Sequence, residues 1–161
     1  MKTEAGRGRI STRKIVASLV DTNILVYRCD TRDSAKRNAA SELLLRGSVE
    51  NTLRIPHQAL VEFLHAVTKG RGDRPSLLPR EEAWRQAEEL LLEFPILYPN
   101  ESVFRTAVLG MAAYQFAWYD AHLWAYAEHY GLPELLSEDF QHGRRYGTVL
   151  VRNPFVELGL K

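Results

Sequence analysis

Short apolar runs recur along the chain. The run at residues 15–20 is too short for a helix and is rich in β-branched side chains, so it predicts a buried strand. Further short strands are predicted at residues 51–55, 96–98, 135–136 and 148–151.

Between these runs, apolar residues recur every three or four positions, which is typical of amphipathic helices. Five such helices are predicted, beginning near residues 35, 56, 79, 100 and 118. We expect Gly47 to close the first of them and Gly131 to close the last. Residues 70–79 are rich in Gly, Pro and Arg and predict a loop. Strands that alternate with helices predict an α/β fold with a mainly parallel sheet.

The composition fits an ordinary globular domain. The chain has 161 residues, which is enough to bury a core, and its net charge is +1. A single cysteine, Cys29, excludes an internal disulfide, fits a reducing compartment and is expected to be an inert buried thiol. No apolar run approaches the ~20 residues of a membrane span. The basic N-terminus is a poor secretory signal, so we expect a cytoplasmic protein with no membrane contact.

Residues 1–14 differ in character from the remainder. They contain one acid, Glu4, and five basic residues, namely Lys2, Arg7, Arg9, Arg13 and Lys14. This composition predicts a flexible basic leader, followed by a single domain over residues 15–161. The leader either contacts a polyanion or has no function.

Two acids follow predicted strands. Asp21 comes after the strand at 15–20, and Asp139 comes shortly after the strand at 135–136. Because the carboxyl ends of parallel strands meet at one edge of a sheet, both acids are expected at the edge where ligands collect. Position alone favours a simpler interpretation of Asp21, as a cap for the following turn or helix.

Two further acids on predicted helices favour a functional role for Asp21 over simple capping. Glu62 lies at the rim of an apolar helix face, and Asp120 lies within one, in line with Leu123 and Trp124. Two like charges ~4 Å apart repel by about 4 kcal/mol at an effective dielectric of about 20. Four such acids would oppose folding unless a cation lies among them or some are protonated. An oxygen-rich site without Cys or His suits Mg²⁺ or Mn²⁺.

Four segments around these acids resemble the PIN-domain nucleases. They are the run at 19–25, Val61-Glu62-Phe63, Trp118-Tyr119-Asp120-Ala121 and Leu136-Ser137-Glu138-Asp139. The segment at 137–143, followed by 151–155, is similar to the VapC toxins of bacterial VapBC toxin–antitoxin pairs. The resemblance covers residues 15–156 and implies a PIN-like three-layer α/β/α sandwich with a central, mainly parallel sheet.

The resemblance also implies an activity. It indicates an endoribonuclease that depends on Mg²⁺, with Mn²⁺ as a substitute, forms a homodimer and is inhibited by a VapB-like antitoxin. Asp21 and Asp120 correspond to the principal metal ligands. Glu62 and Asp139 complete the catalytic set by direct or water-mediated contact. Asn23 and Ser137 match polar positions that support the acids. By strand alternation, Glu138 is expected to point away from Asp139.

Basic residues provide candidates for binding an RNA backbone, since a nuclease needs cations for the phosphates as well as acids for the metal. The candidates are Lys69, Arg71, Arg74, Arg144, Arg145 and Arg152. The alternative is that these are ordinary solvated side chains. The predicted helices over 56–94 are candidates for docking the antitoxin or a second copy of the chain.

Other interpretations remain open. Asp21-Thr22-Asn23 resembles the haloacid dehalogenase phosphatases, but those have a second Asp where this chain has Asn23. A PIN-like module that binds nucleic acid or protein with weak catalysis is a second alternative, which the presence of all four acids disfavours. Trp84, Trp118 and Trp124 are candidates for stacking on bases, although core packing is the simpler role for the last two.

Overall fold

The structure is a computed structural model that describes residues 16–70 and 73–160. The predicted leader at 1–14 and the RNA-binding candidate Arg71 lie outside the described residues. In the part of the chain that is described, no helix is both long and apolar enough to cross a membrane.

A six-stranded sheet forms the middle layer. Its strands are β1 (Ser18–Val20), β2 (Leu53–Pro56), β3 (Ile96–Leu97), β4 (Glu134–Leu136), β5 (Arg145–Tyr146) and β6 (Val149–Arg152). They lie in the order β3-β2-β1-β4-β6-β5, and only the β5–β6 pair is antiparallel. The sheet is therefore mainly parallel, as the sequence predicted.

Helices cover both faces of the sheet. They are α1 (Thr22–Cys29), α2 (Ser34–Glu50), α3 (His57–Thr68), α4 (Arg80–Glu93), α5 (Glu101–Tyr114), α6 (Trp118–Tyr130) and α7 (Pro154–Glu157). Helix α1 was not among the five predicted helices, although a turn or helix was expected after Asp21. The short elements β5 and α7 were not predicted either, because two and four residues are too few to show a periodic pattern.

Two apolar cores separate the three layers. Leu19 and Leu135 point to the face that is covered by α5 and α6. Val20 and Leu136, one residue further along the same strands, point to the face that is covered by α1 to α4. This alternation follows from the two-residue period of a strand. The predicted α/β/α sandwich is confirmed.

The end of α2 differs from the prediction. The helix does not close at Gly47 but continues to Glu50, and Asn51 ends it in the left-handed region with φ 54°. Gly47 is instead buried against β2, where an added Cβ would lie 2.2 Å from Leu53 Cδ1. The glycine therefore permits close packing of helix on strand, and Asn51 supplies the left-handed residue.

Candidate active site

Asp21 and Ser137 lie side by side at the carboxyl edge of the sheet. Val20 of β1 pairs in register with Leu136 of β4, so the next residues on the two strands are neighbours. The backbone N–H of Asp21 continues the ladder to the Leu136 carbonyl at 3.0 Å. Ser137 Oγ then donates to Asp21 Oδ2 at 2.5 Å. Parallel strand pairing thus accounts for this contact.

Asn23, in the first turn of α1, joins the two acids that follow strands. Its Nδ2 lies 3.0 Å from Asp21 Oδ2 and 3.2 Å from Asp139 Oδ2. Ser137 Oγ also accepts a hydrogen bond from the Asp139 backbone N–H at 3.1 Å. The two polar residues that were expected to support the acids therefore contact both of them.

Asp21 also caps α1. Its Oδ1 accepts from the Thr22 N–H at 2.6 Å, which confirms the simpler interpretation of this residue as a cap. Capping α1 and belonging to the acidic group are compatible roles, because Oδ1 faces the helix while Oδ2 faces Asn23 and Ser137.

Glu62 joins this group from α3. Thr22 Oγ1 donates to Glu62 Oε2 at 3.1 Å, and Gln58 Nε2 donates to Glu62 Oε1 at 2.7 Å. Gln58 was not among the predicted site residues. The only signal for it in the sequence is its position one helical turn before Glu62, on the same face of α3.

Asp120 lies in the first turn of α6 and is half-buried. Its carboxylate forms no hydrogen bond within the described residues. Burial raises the pKa of Asp120, and repulsion from Asp139 and then from Glu62 adds to the rise. The fourth acid is therefore close enough to the others to be affected by their charges.

Asp21 is the most deeply buried of the four acids, with 5 % exposure. Burial is the main reason that its pKa rises from 3.8 to about 7. Hydrogen bonds from Ser137 and Thr22 oppose the rise, while repulsion from Asp139 and Glu62 reinforces it. A cation beside Asp21 would favour the ionised carboxylate.

The donor set fits a hard divalent cation. Asp21, Glu62, Asp120 and Asp139 offer only carboxylate oxygens, and the buried Asn23 Oδ1 has no hydrogen-bond partner within the described residues. In residues 16–70 and 73–160, no three acidic, His or Cys side chains are already close enough together to coordinate one ion. Mg²⁺ does not require three, because it usually retains several waters and binds through one or two carboxylates.

A cavity of about 560 Å³ adjoins this group. Asp21, Glu62 and Asp139 line it, together with the cations Arg32, Lys69 and Arg74. Arg32 is neutralised by Asp30, to which its Nε and Nη2 donate at 2.7 and 2.6 Å. Lys69 and Arg74 form no ion pair with any residue that the structure describes. They are the basic side chains best placed to meet an anion here.

Three other basic candidates lie elsewhere. Arg144 rests on the ring of Tyr146, with its guanidinium carbon 4.8 Å from the ring centroid. Arg145 lies on the edge strand β5 and donates to the Thr148 carbonyl at 2.8 Å. Arg152 is paired with Glu134 and Glu157. None of the three lines the cavity beside the acids.

Glu138 and Asp139 have different partners, but strand alternation is not the cause, because β4 ends at Leu136 and both residues line the same cavity. Glu138 accepts from Tyr27 Oη at 2.6 Å and from Lys36 Nζ at 2.8 Å, whereas Asp139 contacts Asn23. The ion pair with Lys36 is largely buried, with side-chain exposures of 12 % for Lys36 and 21 % for Glu138. Lys36 therefore balances the additional acid of this loop.

The aromatic and thiol candidates have mainly structural positions. Trp124 is buried and donates to the Tyr146 carbonyl at 3.0 Å, and Trp118 is half-buried against His122. Trp84 is exposed on α4. Burial raises the pKa of the Cys29 thiol, which disfavours the reactive thiolate.

The fold and this site define a class: α/β sandwiches whose acids converge at the carboxyl edge of a parallel sheet. A family model described as the PIN domain matches residues 18–147. The chain belongs to the PIN-domain family. No curated protein matches the chain by sequence.

Several solved structures share the fold. A chain of VapBC2 from Rickettsia felis, bound to promoter DNA, is 15 % identical with a TM-score of 0.63, covering 85 % of this chain and 98 % of its own. DNA-bound VapBC from Salmonella typhimurium is 13 % identical with a TM-score of 0.64, covering 86 % and 98 %. VapC20 of Mycobacterium tuberculosis, a sarcin-ricin loop cleaving toxin, is 14 % identical with a TM-score of 0.57, covering 74 % and 87 %.

Proposed function

We propose that this protein is a metal-dependent endoribonuclease and the toxin component of a type II toxin–antitoxin system. The observation that carries the proposal is the convergence of Asp21, Glu62, Asp120 and Asp139 at one edge of the sheet. Asn23 bridges two of these acids within 3.2 Å, and Thr22 links a third to the same turn. Such a cluster requires compensation, and catalysis provides a reason to retain it.

Asp21 and Asp120 are the proposed ligands of a Mg²⁺ ion, for which Mn²⁺ can substitute. Glu62 and Asp139 act directly or through water. A bound ion would activate a water and stabilise the leaving oxygen of a phosphodiester. The raised pKa of Asp21 and the unpartnered Asn23 Oδ1 both support an ion beside them. Asn23 and Ser137 orient the Asp21 and Asp139 carboxylates.

Lys69 and Arg74 are the proposed contacts for the RNA backbone. They line the same cavity as Asp21, Glu62 and Asp139, so they can hold phosphates beside the acids without a competing ion pair in the described chain. Arg144 and Arg145 are proposed to contact more distant parts of the RNA. One of the similar structures is a toxin that cleaves the sarcin-ricin loop, which makes a structured RNA a reasonable first substrate.

A VapB-like antitoxin is the proposed protein partner, and a cytoplasmic homodimer is the proposed state. Similarity to chains of VapBC complexes from Rickettsia felis and Salmonella typhimurium supports an antitoxin partner. A basic side chain of such a partner, placed among the acids, would neutralise the cluster and compete with the metal.

A PIN-like binding module without catalysis is the second candidate. It is favoured by the hydrogen bonds from Asn23, Ser137 and Thr22, which already satisfy much of the acidic cluster. A binding module would retain its affinity for RNA or protein in EDTA, and that affinity would not change when Asp120 is neutralised.

The test is cleavage of a total-RNA pool with Mg²⁺ or Mn²⁺ against EDTA. We expect discrete fragments with metal, and their loss with EDTA, with Asp21→Asn and with Asp120→Asn. Glu50→Gln, which neutralises an exposed acid at the end of α2, is the control and should cleave like the wild type. A fully active Asp120→Asn variant would refute the proposed nuclease.

A further inference from the structure

Gln58 connects one acid to the helix that carries another. Its side-chain Nε2 donates to Glu62 Oε1 at 2.7 Å, within α3, and to the backbone carbonyl of Tyr119 at 3.1 Å. Tyr119 immediately precedes Asp120 in the first turn of α6. One amide group therefore sets the distance between the Glu62 carboxylate and the backbone next to Asp120.

His122 fixes the orientation of that amide. Its Nδ1 lies 2.6 Å from Gln58 Oε1. The two groups that Nε2 contacts are a carboxylate and a carbonyl, which only accept hydrogen bonds. The amide oxygen must therefore face the imidazole, and His122 Nδ1 must carry a proton and donate it. The tautomer of His122 follows from this geometry.

The imidazole is itself held by aromatic neighbours. Its ring stacks on Trp118 with the centroids 5.5 Å apart and meets Tyr126 edge-on at 5.1 Å. The half-buried ring cannot easily turn to another partner. A chain of contacts thus runs from the packed aromatic side of α6, through Gln58, to Glu62.

We infer that Gln58 is a positioning residue, which orients the Glu62 carboxylate toward Asp120, and that His122 positions Gln58. This inference rests on the proposed nuclease function. Neither residue lines the cavity beside the acids, so both are inferred to act through Glu62. Partners that orient ligating carboxylates typically contribute roughly 10- to 100-fold to metal affinity or activity.

Matched variants separate hydrogen bonding from packing. Gln58→Met keeps the length of the side chain and removes all of its side-chain hydrogen bonds. His122→Asn retains a donor close to the Nδ1 position, whereas His122→Phe keeps the ring and removes the donor. Gln86→Met is the control, because Gln86 is a half-buried, hydrogen-bonded glutamine on α4 with no contact to the four acids.

The first measurement needs neither metal nor RNA. Long-range ¹H–¹⁵N spectra of the imidazole in EDTA should show His122 protonated at Nδ1 in the wild type and in Gln86→Met. In Gln58→Met this preference should disappear, with native stability otherwise retained. A wild-type His122 protonated at Nε2 alone would overturn the inference, whatever the activity of the protein.

The second measurement is cleavage under saturating metal. Gln58→Met and His122→Phe should each lower kcat by roughly 10- to 100-fold and leave the KM for RNA unchanged. His122→Asn should retain activity near that of the wild type, and the Gln58→Met/His122→Phe pair should be no worse than either single variant. Wild-type kcat in Gln58→Met, beside an inactive Asp21→Asn, would overturn the inference and leave the nuclease intact. An inactive wild type would instead refute the nuclease.

Discussion

The side-chain amide of Asn23 lies between the carboxylates of Asp21 and Asp139, 3.0 Å from one and 3.2 Å from the other. Its two N–H groups offset part of the repulsion between acids that parallel strand pairing places at the same edge of the sheet. A neutral donor performs this task without the competition that a basic side chain would offer to an incoming cation. Asn23 is thus compatible both with a stable metal-free fold and with metal binding.

The first prediction tests this role with Asn23→Asp. The variant replaces a donor by a third carboxylate, and two like charges ~4 Å apart repel by about 4 kcal/mol at an effective dielectric of about 20. We expect a loss of up to about 4 kcal/mol in the free energy of unfolding at pH 8 in EDTA. Mg²⁺ should restore most of that loss.

Urea unfolding with and without Mg²⁺ measures both effects. Asn38→Asp, an exposed position on α2, is the matched control and should change stability little in either condition. Equal stability of Asn23→Asp and the wild type in EDTA would show that Asn23 does not hold repelling carboxylates apart.

The second prediction concerns pH. The folded protein holds the Asp21 proton with a pKa of about 7, against 3.8 ordinarily. Because the folded state binds this proton more tightly than the unfolded chain, the Asp21 contribution to the free energy of unfolding falls between about pH 4 and pH 7 and is constant above that range. Asp21→Asn cannot ionise and should escape this fall.

The measurement is urea unfolding in EDTA at pH 5 and pH 8. The free energy of unfolding of Asp21→Asn minus that of the wild type should be larger at pH 8 than at pH 5 by roughly 2–3 kcal/mol, since each pKa unit corresponds to about 1.36 kcal/mol. Glu50→Gln should show no such trend. A difference between Asp21→Asn and the wild type that does not vary with pH would contradict the prediction.

Much of this site could be predicted from local patterns. Asp21 and Asp139 follow recognisable strands, and Asp120 is an acid on an apolar stripe, so simple periodicity identifies all three. Gln58 could not be found in this way, because its contacts to Tyr119 and His122 span 61 and 64 positions in sequence. Only the packing of α3 against the start of α6 brings these residues together.

The same reason explains the wrong prediction for Gly47 and the limits of the prediction for the basic residues. Gly47 looked like a helix stop because glycine commonly ends helices, yet its role is close contact with Leu53 of β2. The RNA-binding role of Arg144 and Arg145 stays a prediction, but local sequence could not show that β5 is the outermost strand and lies away from the cavity beside the acids. Local sequence shows neither the neighbour of a glycine nor the order of strands in a sheet.

The third prediction concerns the additional acid of the loop after β4. Lys36 Nζ contacts Glu138 Oε2 at 2.8 Å and Tyr27 Oη at 3.1 Å. Lys36→Met leaves Glu138 largely buried without its cation, beside the other acids of the cavity. Removing one partner of a buried pair costs about 3–5 kcal/mol, and the partial exposure here reduces our expectation to about 2–4 kcal/mol.

A double-mutant cycle with Glu138→Gln checks the cause. If the unpaired charge is responsible, Lys36→Met/Glu138→Gln should recover at least half of the loss in thermal or urea unfolding. Lys36→Arg should retain most of the wild-type stability. No recovery in the double variant would mean that Lys36 stabilises the fold through its ammonium group, which lies over the rings of Tyr27 and Phe155, 4.7 and 5.3 Å from their centroids.

The fourth prediction separates RNA binding from chemistry. Lys69 and Arg74 line the cavity beside Asp21, Glu62 and Asp139, whereas Arg145 lies on the edge strand. Lys69→Ala and Arg74→Ala should therefore raise the KM for RNA several-fold, with a smaller effect on kcat. A cation that contacts phosphate contributes about one unit to the slope of log affinity against log salt, so each variant should flatten that slope by about 1.

Binding is measured with catalytically inactive Asp120→Asn as the background, from low to physiological salt. Arg105→Ala is the control, because Arg105 is exposed on α5 and paired with Glu101 on the opposite face of the sheet from α1 to α4. Arg145→Ala should have a smaller effect than Lys69→Ala if the RNA passes first over the cavity. An unchanged salt slope in both Lys69→Ala and Arg74→Ala would place the phosphate backbone elsewhere, because removing a contacting cation must reduce the number of counterions released.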